Sequence, residues 1–383
     1  MSDVILLAGY PVHYPNVYQR VRLPAGDMTV FVDEGQGKTS MIVRPIEMAR
    51  ARGLGTAARV YSPEELAPPT GLSSDRNTAF AQATAHLLTQ HAVRRVVSDA
   101  MLPLLFHHVL GQAGIEVKCD PDLGTRERRS KDDWEVSALR KAQQATEAGI
   151  RFAYETIRGA AVGADGILQV GGAPLTSARL RGLINNFLMD RGCVSADCIT
   201  ACGPIGADCH HRGDGPLREG LPIILDVFPM DTATRYFGDC TRTLCRGQIP
   251  RRLAEMHAAV VDAKRAALAA TRAGVRGSDV HKAACDVFRA RGYMINLPAE
   301  GLERASDDVI FYGHGTGHGI GLEGHEGPYL DERGDVLVAG DALTIEPALY
   351  TKSLGGVRVE DMVIVRANGC DNLNSLPEGL WWD

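Results

Sequence analysis

The sequence predicts a protein of the α/β (α+β) class in two domains, a small N-terminal α/β domain followed by a larger domain built from a duplicated unit. Three observations carry this expectation. Strand-like and helix-like segments alternate through the first third of the 383-residue chain. Near Gly124 that alternation gives way to a charged connector and a long amphipathic helix. The remainder shows a faint internal echo at a spacing of about a hundred residues, the signature of a repeated unit. The domains are expected over residues 1–125 and 126–383.

In the N-terminal part, MTVFVDEG, TSMIVRP, ARVYS and RRVVSDA read as short buried strands. AFAQATAHLLTQH and LPLLFHHVLGQAG read as the helices between them. Strands alternating with helices make a small layered α/β domain. It carries no chemical constellation: His107 and His108 lie on an apolar helix and read as packing or surface residues. Past Gly124, TRERRSKDDWEVSALRKAQQATEAGIRFAYETI sets Trp134, Leu139, Ala142, Ala145 and Ile150 along a helical stripe. LTSARLRGLINNFLMDRG and SDVHKAACDVFRARG are the two echoing helices, each followed by extended segments.

Composition narrows the function classes. Apolar residues at 45% and charged residues at 23% are the proportions of a soluble globular protein. A net charge of -6 argues against nucleic acid as the partner. No apolar run approaches the roughly 18 residues that cross a bilayer. The start, MSDVILLAGYPVHYP, lacks the basic region and long apolar run of a secretory signal. The cysteines number nine, an odd count without a C-x-x-C pair, which argues against a disulfide framework and for a reduced, cytoplasmic setting.

The chemistry is carried by acidic residues in apolar company. Asp226 follows the core-like run LPIILDVFP, and Asp239 sits in TRYFGDCTRTLCRG, read as a second strand. Glu346 interrupts DALTIEPALY and Glu360 interrupts GGVRVEDMVIV, read as a third and a fourth. Buried carboxylates are costly unless paired or bound to metal. The spacings let Asp226 and Asp239 face each other across one hairpin, and Glu346 and Glu360 across another. If the two halves pack with pseudo-twofold symmetry, four anions converge. Divalent cations are the physical answer to their repulsion, most economically two, held roughly 3.5–4 Å apart by bridging carboxylates.

The stretch GHGTGHGIGLEGHEGP, Gly313 to Pro328, offers the imidazoles. His314 and His318 stand at helical spacing, but the intervening glycines and the lack of a Glu after His314 exclude a zinc helix of the H-E-x-x-H type. Glycine is expected there because a side chain on the neighbours of a ligating histidine would collide with a crowded metal centre. One imidazole with four carboxylates is an oxygen-rich set that suits manganese, cobalt or iron(II) at least as well as zinc.

LDVFP…GDCTRT, GHGTGHGIGLEGHEGP, TIEPALY and VRVEDMVIV together resemble the metal-dependent "pita-bread" peptidases. That family comprises methionine aminopeptidases, Xaa-Pro aminopeptidases and prolidases, with creatinase as a metal-free relative. The resemblance runs from about Arg126 to the C-terminus, and the extra N-terminal domain is like that of the Xaa-Pro aminopeptidase, prolidase and creatinase branch. It implies a creatinase-like N-terminal domain, a pseudo-twofold pita-bread catalytic domain and a homodimer. It also implies that Asp226, Asp239, His318, Glu346 and Glu360 bind two divalent ions, with Asp239 and Glu360 bridging them. Manganese is the expected metal, with cobalt, zinc or iron(II) as alternatives. His210 and His325 are implied to face the substrate without binding metal, although His211 competes with His210 for that place. Phe228 and Ala348 stand where many members carry glycine, which puts the shape of the substrate pocket in question.

The activity so implied is hydrolysis of Xaa-Pro bonds by a metal-bridging hydroxide, as an aminopeptidase or a dipeptidase on peptide substrates. Glu346 would relay the proton, with His210 and His325 assisting. A metal-dependent non-peptidase, a C–N hydrolase or lyase acting on a small metabolite, is the alternative, and a silent binding scaffold is a third. Arg358 shares a strand face with Glu360 and is expected to orient a carboxylate from behind, or else to face solvent. Thr241 is expected to hydrogen-bond a bridging oxygen. His314 either lines the pocket or is a satisfied loop histidine. Trp381 and Trp382 are expected to pack on the domain or on a partner subunit.

Overall fold

Short, near-continuous apolar runs build the N-terminal unit, Met1–Arg128, around one sheet covered on both faces. This computed structural model describes residues 3–195, 198–296 and 306–382. The six strands lie in the order Arg59–Tyr61, Thr39–Ile42, Thr29–Asp33, Val4–Gly9, Arg95–Ser98 and Glu116–Cys119. Val4–Gly9 pairs antiparallel with Thr29–Asp33 and parallel with Arg95–Ser98, so the apolar N-terminal run is a central strand. Leu6, Val30 and Val32 pack on one face against Phe80 and Leu88 of the helix Arg76–Gln90 and Phe106 of the helix Leu104–Gln112. Leu7, Phe31 and Met41 pack on the other against Val17 and Val21 of the helix Pro15–Val21. His107 and His108 are exposed.

The second compact unit is Arg129–Asp383. Its first helix, Asp133–Gly159, is started by a capping box in which Asp132 accepts from the Glu135 amide and Glu135 accepts from that of Asp132. Leu139, Ala142 and Ile150 of the expected stripe are buried, whereas Trp134 at its head is 41% exposed. With the helix Ser177–Met189 it covers a three-stranded antiparallel sheet, Ile199–Cys202, Ile223–Val227 and Cys240–Leu244.

A second helix pair, Arg251–Ala270 and Gly277–Ala290, packs in the same manner on the strands of the other half. The duplication inferred from the echoing helices is therefore a pair of helices on mostly antiparallel strands, made twice. In the second half the strands divide between two sheets. One holds Glu326–Leu330, Gly317–Gly319, Ala342–Ile345, Asp361–Arg366 and Gly369–Asn372. The other includes Phe311–Tyr312, Ala348–Thr351 and Gly355–Arg358. One long hairpin crosses between them: Ile345 pairs with Asp361 in the first sheet and Ala348 with Arg358 in the second.

Trp382 closes the chain by stacking on Tyr154 of the long helix, ring centroids 4.4 Å apart. Of the two places expected for the terminal tryptophans, the structure shows packing on their own unit. Among the described residues no helix is long and apolar enough to cross a membrane.

Candidate active site

The strand positions of the four carboxylates differ in detail from the expected ones. Asp226 lies within its strand, and its partner across the hairpin is Thr241. Asp239 stands just ahead of the paired strand and therefore lies diagonally from Asp226, not opposite it. Glu346 and Glu360 are inside no strand. Each occupies the break where the long hairpin passes from one sheet to the other, and the register on both sides of the break sets them face to face. The ladder is interrupted because their amides are used elsewhere. Glu346 donates its N–H to the Thr316 carbonyl at 2.8 Å, and Glu360 donates to that of Thr241 at 3.0 Å. Both side chains line the same cavity.

His318 arrives on the strand Gly317–Gly319. A β-carbon at Gly317 would stand 1.9 Å from the Thr344 carbonyl oxygen, and one at Gly319 would stand 2.5 Å from that of Gly327. The glycines are thus required by the backbones of the flanking strands, which corrects the expectation that the metal centre itself excludes a side chain. His318 Nδ1 donates to the Gly319 carbonyl at 3.0 Å and so directs Nε2 to the carboxylates, 3.3 Å from Glu346 Oε1 and 3.9 Å from Asp239 Oδ2. Ligand atoms of Asp239, His318 and Glu360 all lie within 4.8 Å of one another.

Arg358 is buried and holds three neighbours. Its Nη2 donates to Asp226 Oδ2 at 2.7 Å, Nη1 to the Tyr350 hydroxyl at 2.7 Å and Nε to Thr241 Oγ1 at 3.2 Å. Thr241 in turn donates to Glu360 Oε2 at 2.7 Å. Arg358 therefore lies behind the carboxylates and not in solvent, and Thr241 holds the carboxylate expected to bridge. Burial pushes Asp226 up despite Arg358. Burial and then the charge of Glu360 push Asp239 well up, and burial with Glu346 and Asp226 does the same to Glu360. Burial also opposes ionisation of Glu346, but the hydrogen bond and charge of His318 outweigh it and bring Glu346 to about 2. Burial lowers His318, yet Glu346 more than compensates and holds it above its ordinary value.

These groups form the floor of a cavity of about 460 Å³. His210, His314 and His325 stand on its wall, as does Phe228. His211 does not line it; its Nδ1 accepts from the Gly213 amide at 3.0 Å. The His325 ring lies against that of His318 with centroids 3.9 Å apart, and burial followed by the proximity of His318 lowers its pKa. His314 both lines the cavity and is satisfied: Nδ1 donates to the Gly315 carbonyl at 2.7 Å, leaving Nε2 to accept from the Tyr350 hydroxyl at 2.9 Å.

Neither Tyr350 nor Gln143 stood out in the sequence. Tyr350 joins Arg358 to His314, and Gln143, on the long helix, holds both the amide and the carbonyl of Asp239. Their contacts run to residues remote in sequence. An amide or hydroxyl in an apolar stripe, as at Gln143, is the one trace that could have marked them.

The profile of metallopeptidase family M24 matches residues 137–367, more than half of the chain and all five candidate ligands. The chain belongs to metallopeptidase family M24. It is 32% identical over 290 residues to the probable dipeptidase PepE of Mycobacterium tuberculosis, covering 75% of this chain and 70% of that protein. In three dimensions this M24 chain superposes on X-Pro aminopeptidase from Thermotoga maritima with a TM-score of 0.78 at 20% identity, covering 99% and 97% of the two chains. It superposes on dipeptidase PepE from Mycobacterium ulcerans with a TM-score of 0.71 at 27% identity, covering 99% and 92%. Its two-unit architecture is that of the pita-bread fold with an added N-terminal domain, and the chain is a metallohydrolase.

M24 is a metal-dependent family, and the donors present here fit a divalent cation. Asp226 Oδ1 is buried with no hydrogen-bond partner among the described residues, a cost that a cation at the cluster removes. Burial raises both Asp239 and Glu360, reinforced at Asp239 by the charges of Glu360 and Asp226 and at Glu360 by those of Glu346 and Asp226, so a cation there competes with protons for the same oxygens. His318 presents an Nε2 whose direction is set by the bond at Nδ1.

Proposed function

We propose that this M24 metallohydrolase cleaves Xaa-Pro bonds, as a dipeptidase or an aminopeptidase, with two divalent ions, manganese foremost. Asp226, Asp239, His318, Glu346 and Glu360 would hold them, Asp239 and Glu360 serving both. The observation that carries this reading is the convergence of these five side chains on the floor of one cavity. The names of the relatives, a dipeptidase and an X-Pro aminopeptidase among them, support the substrate class.

Ions so held would supply Lewis acidity and would acidify a water toward neutrality. The remaining work falls to the chain. Glu346, ionised at neutral pH, accepts the proton of the attacking water and returns it to the leaving nitrogen. That return matters for an Xaa-Pro bond, because the tertiary amide nitrogen must be protonated before proline departs. His210 and His325, on the cavity wall, donate to the developing oxyanion or to the leaving group. Arg358 keeps Asp226 in place throughout, and Phe228 narrows the cavity where a glycine would leave it open to water.

Incubation of manganese-loaded protein with Xaa-Pro dipeptides and with longer Xaa-Pro peptides, followed by release of free amino acid, tests the reading. Cleavage is expected. Two bound ions with no cleavage of any Xaa-Pro peptide would turn the assignment to the non-peptidase alternative, a C–N hydrolase or lyase acting on a small metabolite.

A further inference from the structure

Asp239 and Glu360 come from the two separate halves of the catalytic unit. Two ions about 3.5–4 Å apart tolerate little error in the placement of the carboxylates shared between them. On the cavity side, Thr241 ties the Glu360 carboxylate to the strand that follows Asp239. A second tie lies behind the site. The Gln143 side chain grips the Asp239 backbone at two points, accepting from its N–H at 2.8 Å and donating to its carbonyl at 2.7 Å. Gln143 Nε2 also donates to Asn374 Oδ1 at 3.0 Å. The same oxygen accepts from the Met362 amide at 2.8 Å, on the segment that carries Glu360. Asn374 Nδ2 completes the contact by donating to Cys240 Sγ at 3.2 Å, beside Asp239.

Asn374 is itself anchored on both sides. Its amide donates to Asn372 Oδ1 at 2.8 Å. The following Ser375 and Leu376 amides donate to Glu147 on the long helix, at 2.6 and 2.9 Å. Arg242 then draws the tail inward: Nε donates to the Pro377 carbonyl at 2.9 Å, while its other nitrogens reach the Glu360 carbonyl and Asp361 Oδ1. Asp361 also accepts from Lys264 and, at 2.8 Å, from Asn372, so the charge beside Glu360 is fixed from three directions.

We propose that Asn374, outside the cavity and on the C-terminal segment, is a positioning residue that fixes Asp239 against Glu360 and thereby sets the affinity and magnetic coupling of two metal ions. The inference rests on the two-ion reading given above. Residues behind metal ligands typically change affinity by about 10–100-fold, and here one amide oxygen serves both ligand-bearing segments.

The test is a titration of Mn²⁺ into chelator-treated wild type, Asn374→Ala and Asn374→Asp, read by calorimetry and by low-temperature electron paramagnetic resonance, with thermal melts as the control for folding. Wild type is expected to bind two ions with an exchange-coupled spectrum. Asn374→Ala, folded, is expected to bind at least about tenfold more weakly and to show the six-line signal of isolated ions. Asn374→Asp keeps the accepting oxygen and is expected to restore the coupled spectrum. A folded Asn374→Ala with wild-type affinity and coupling overturns the inference alone. A wild type that binds fewer than two ions overturns both the inference and the reading beneath it. Should Asn374→Ala fail to fold, Asn374→Leu, which keeps the bulk and loses the accepting oxygen, takes its place, and wild-type affinity and coupling in that folded variant overturn the proposal.

Discussion

Arg358 Nη2 meets Asp226 Oδ2 at 2.7 Å, and this contact leaves Asp226 Oδ1 buried with no hydrogen-bond partner among the described residues. One oxygen is spent on orientation and the other is kept for a cation. Arg358→Met is therefore expected to weaken divalent-metal binding by about 10–100-fold while the fold persists. Arg358→Lys is not expected to restore it, because an ammonium cannot serve Asp226, Tyr350 and Thr241 at once as the planar fork does. Calorimetric titration of both variants checks this, and full affinity in the lysine variant would show that charge alone suffices.

Stability of the metal-free protein should vary with pH in a direction set by Asp239 and Glu360. Burial, reinforced by the neighbouring carboxylates, raises both above the values that they hold in an unfolded chain. The native apoprotein therefore binds protons that the unfolded chain has released. The stability so gained is complete below about pH 4 and is lost as pH rises through the raised values. Glu346 runs the other way: its contribution is present above its unfolded value and is lost as pH falls toward about 2. Melting of chelated protein should accordingly decline from mildly acidic to neutral pH. Manganese should reverse the decline with release of protons, adding about 2.7 kcal/mol at a hundred times its Kd. A melting temperature indifferent to both pH and metal would contradict this.

The histidines should separate by role. His318→Ala removes the imidazole nearest Asp239 and Glu346 and is expected to abolish tight metal binding. His210→Ala and His325→Ala are expected to keep metal and lose about 10²–10⁴-fold in kcat, the usual worth of a proton-transferring or oxyanion-stabilising group. Metal content measured beside turnover distinguishes the cases. Loss of metal from His325→Ala with its retention in His318→Ala would mean that the two roles are exchanged.

Gly317→Ala should be structurally intolerable for a reason unrelated to chemistry. Its β-carbon would fall 1.9 Å from the Thr344 carbonyl oxygen, a backbone atom that cannot swing aside. A loss of at least about 3 kcal/mol in denaturant unfolding, or no folded protein, is expected. A variant as stable as wild type would show that the flanking strand yields.

The carboxylates were legible because a charge amid valines and isoleucines is anomalous wherever it stands, and Asp226, Glu346 and Glu360 each interrupt such a run. What the pattern did not reveal is that Glu346 and Glu360 sit in breaks between sheets, since an apolar run reads the same whether it stays in one sheet or crosses to another. The glycines around His318 were conspicuous, but their cause was misread: the colliding atoms belong to strands distant in sequence. The central strand Val4–Gly9 was seen only as an apolar run too short for a signal. Tyr350 and Asn374 were illegible because each is an ordinary residue in an ordinary context, and Gln143 left only the trace of an amide in an apolar stripe; their roles exist only once the fold brings remote backbone and side-chain atoms to them.

The measurement closest to the central claim is an anomalous difference map from crystals grown with excess manganese. Two peaks are expected, about 3.5–4 Å apart, with Asp226, Asp239, His318, Glu346 and Glu360 around them and Asp239 and Glu360 touching both. An empty map at that cluster, or a single ion that leaves Asp226 paired only with Arg358, would contradict a two-metal centre.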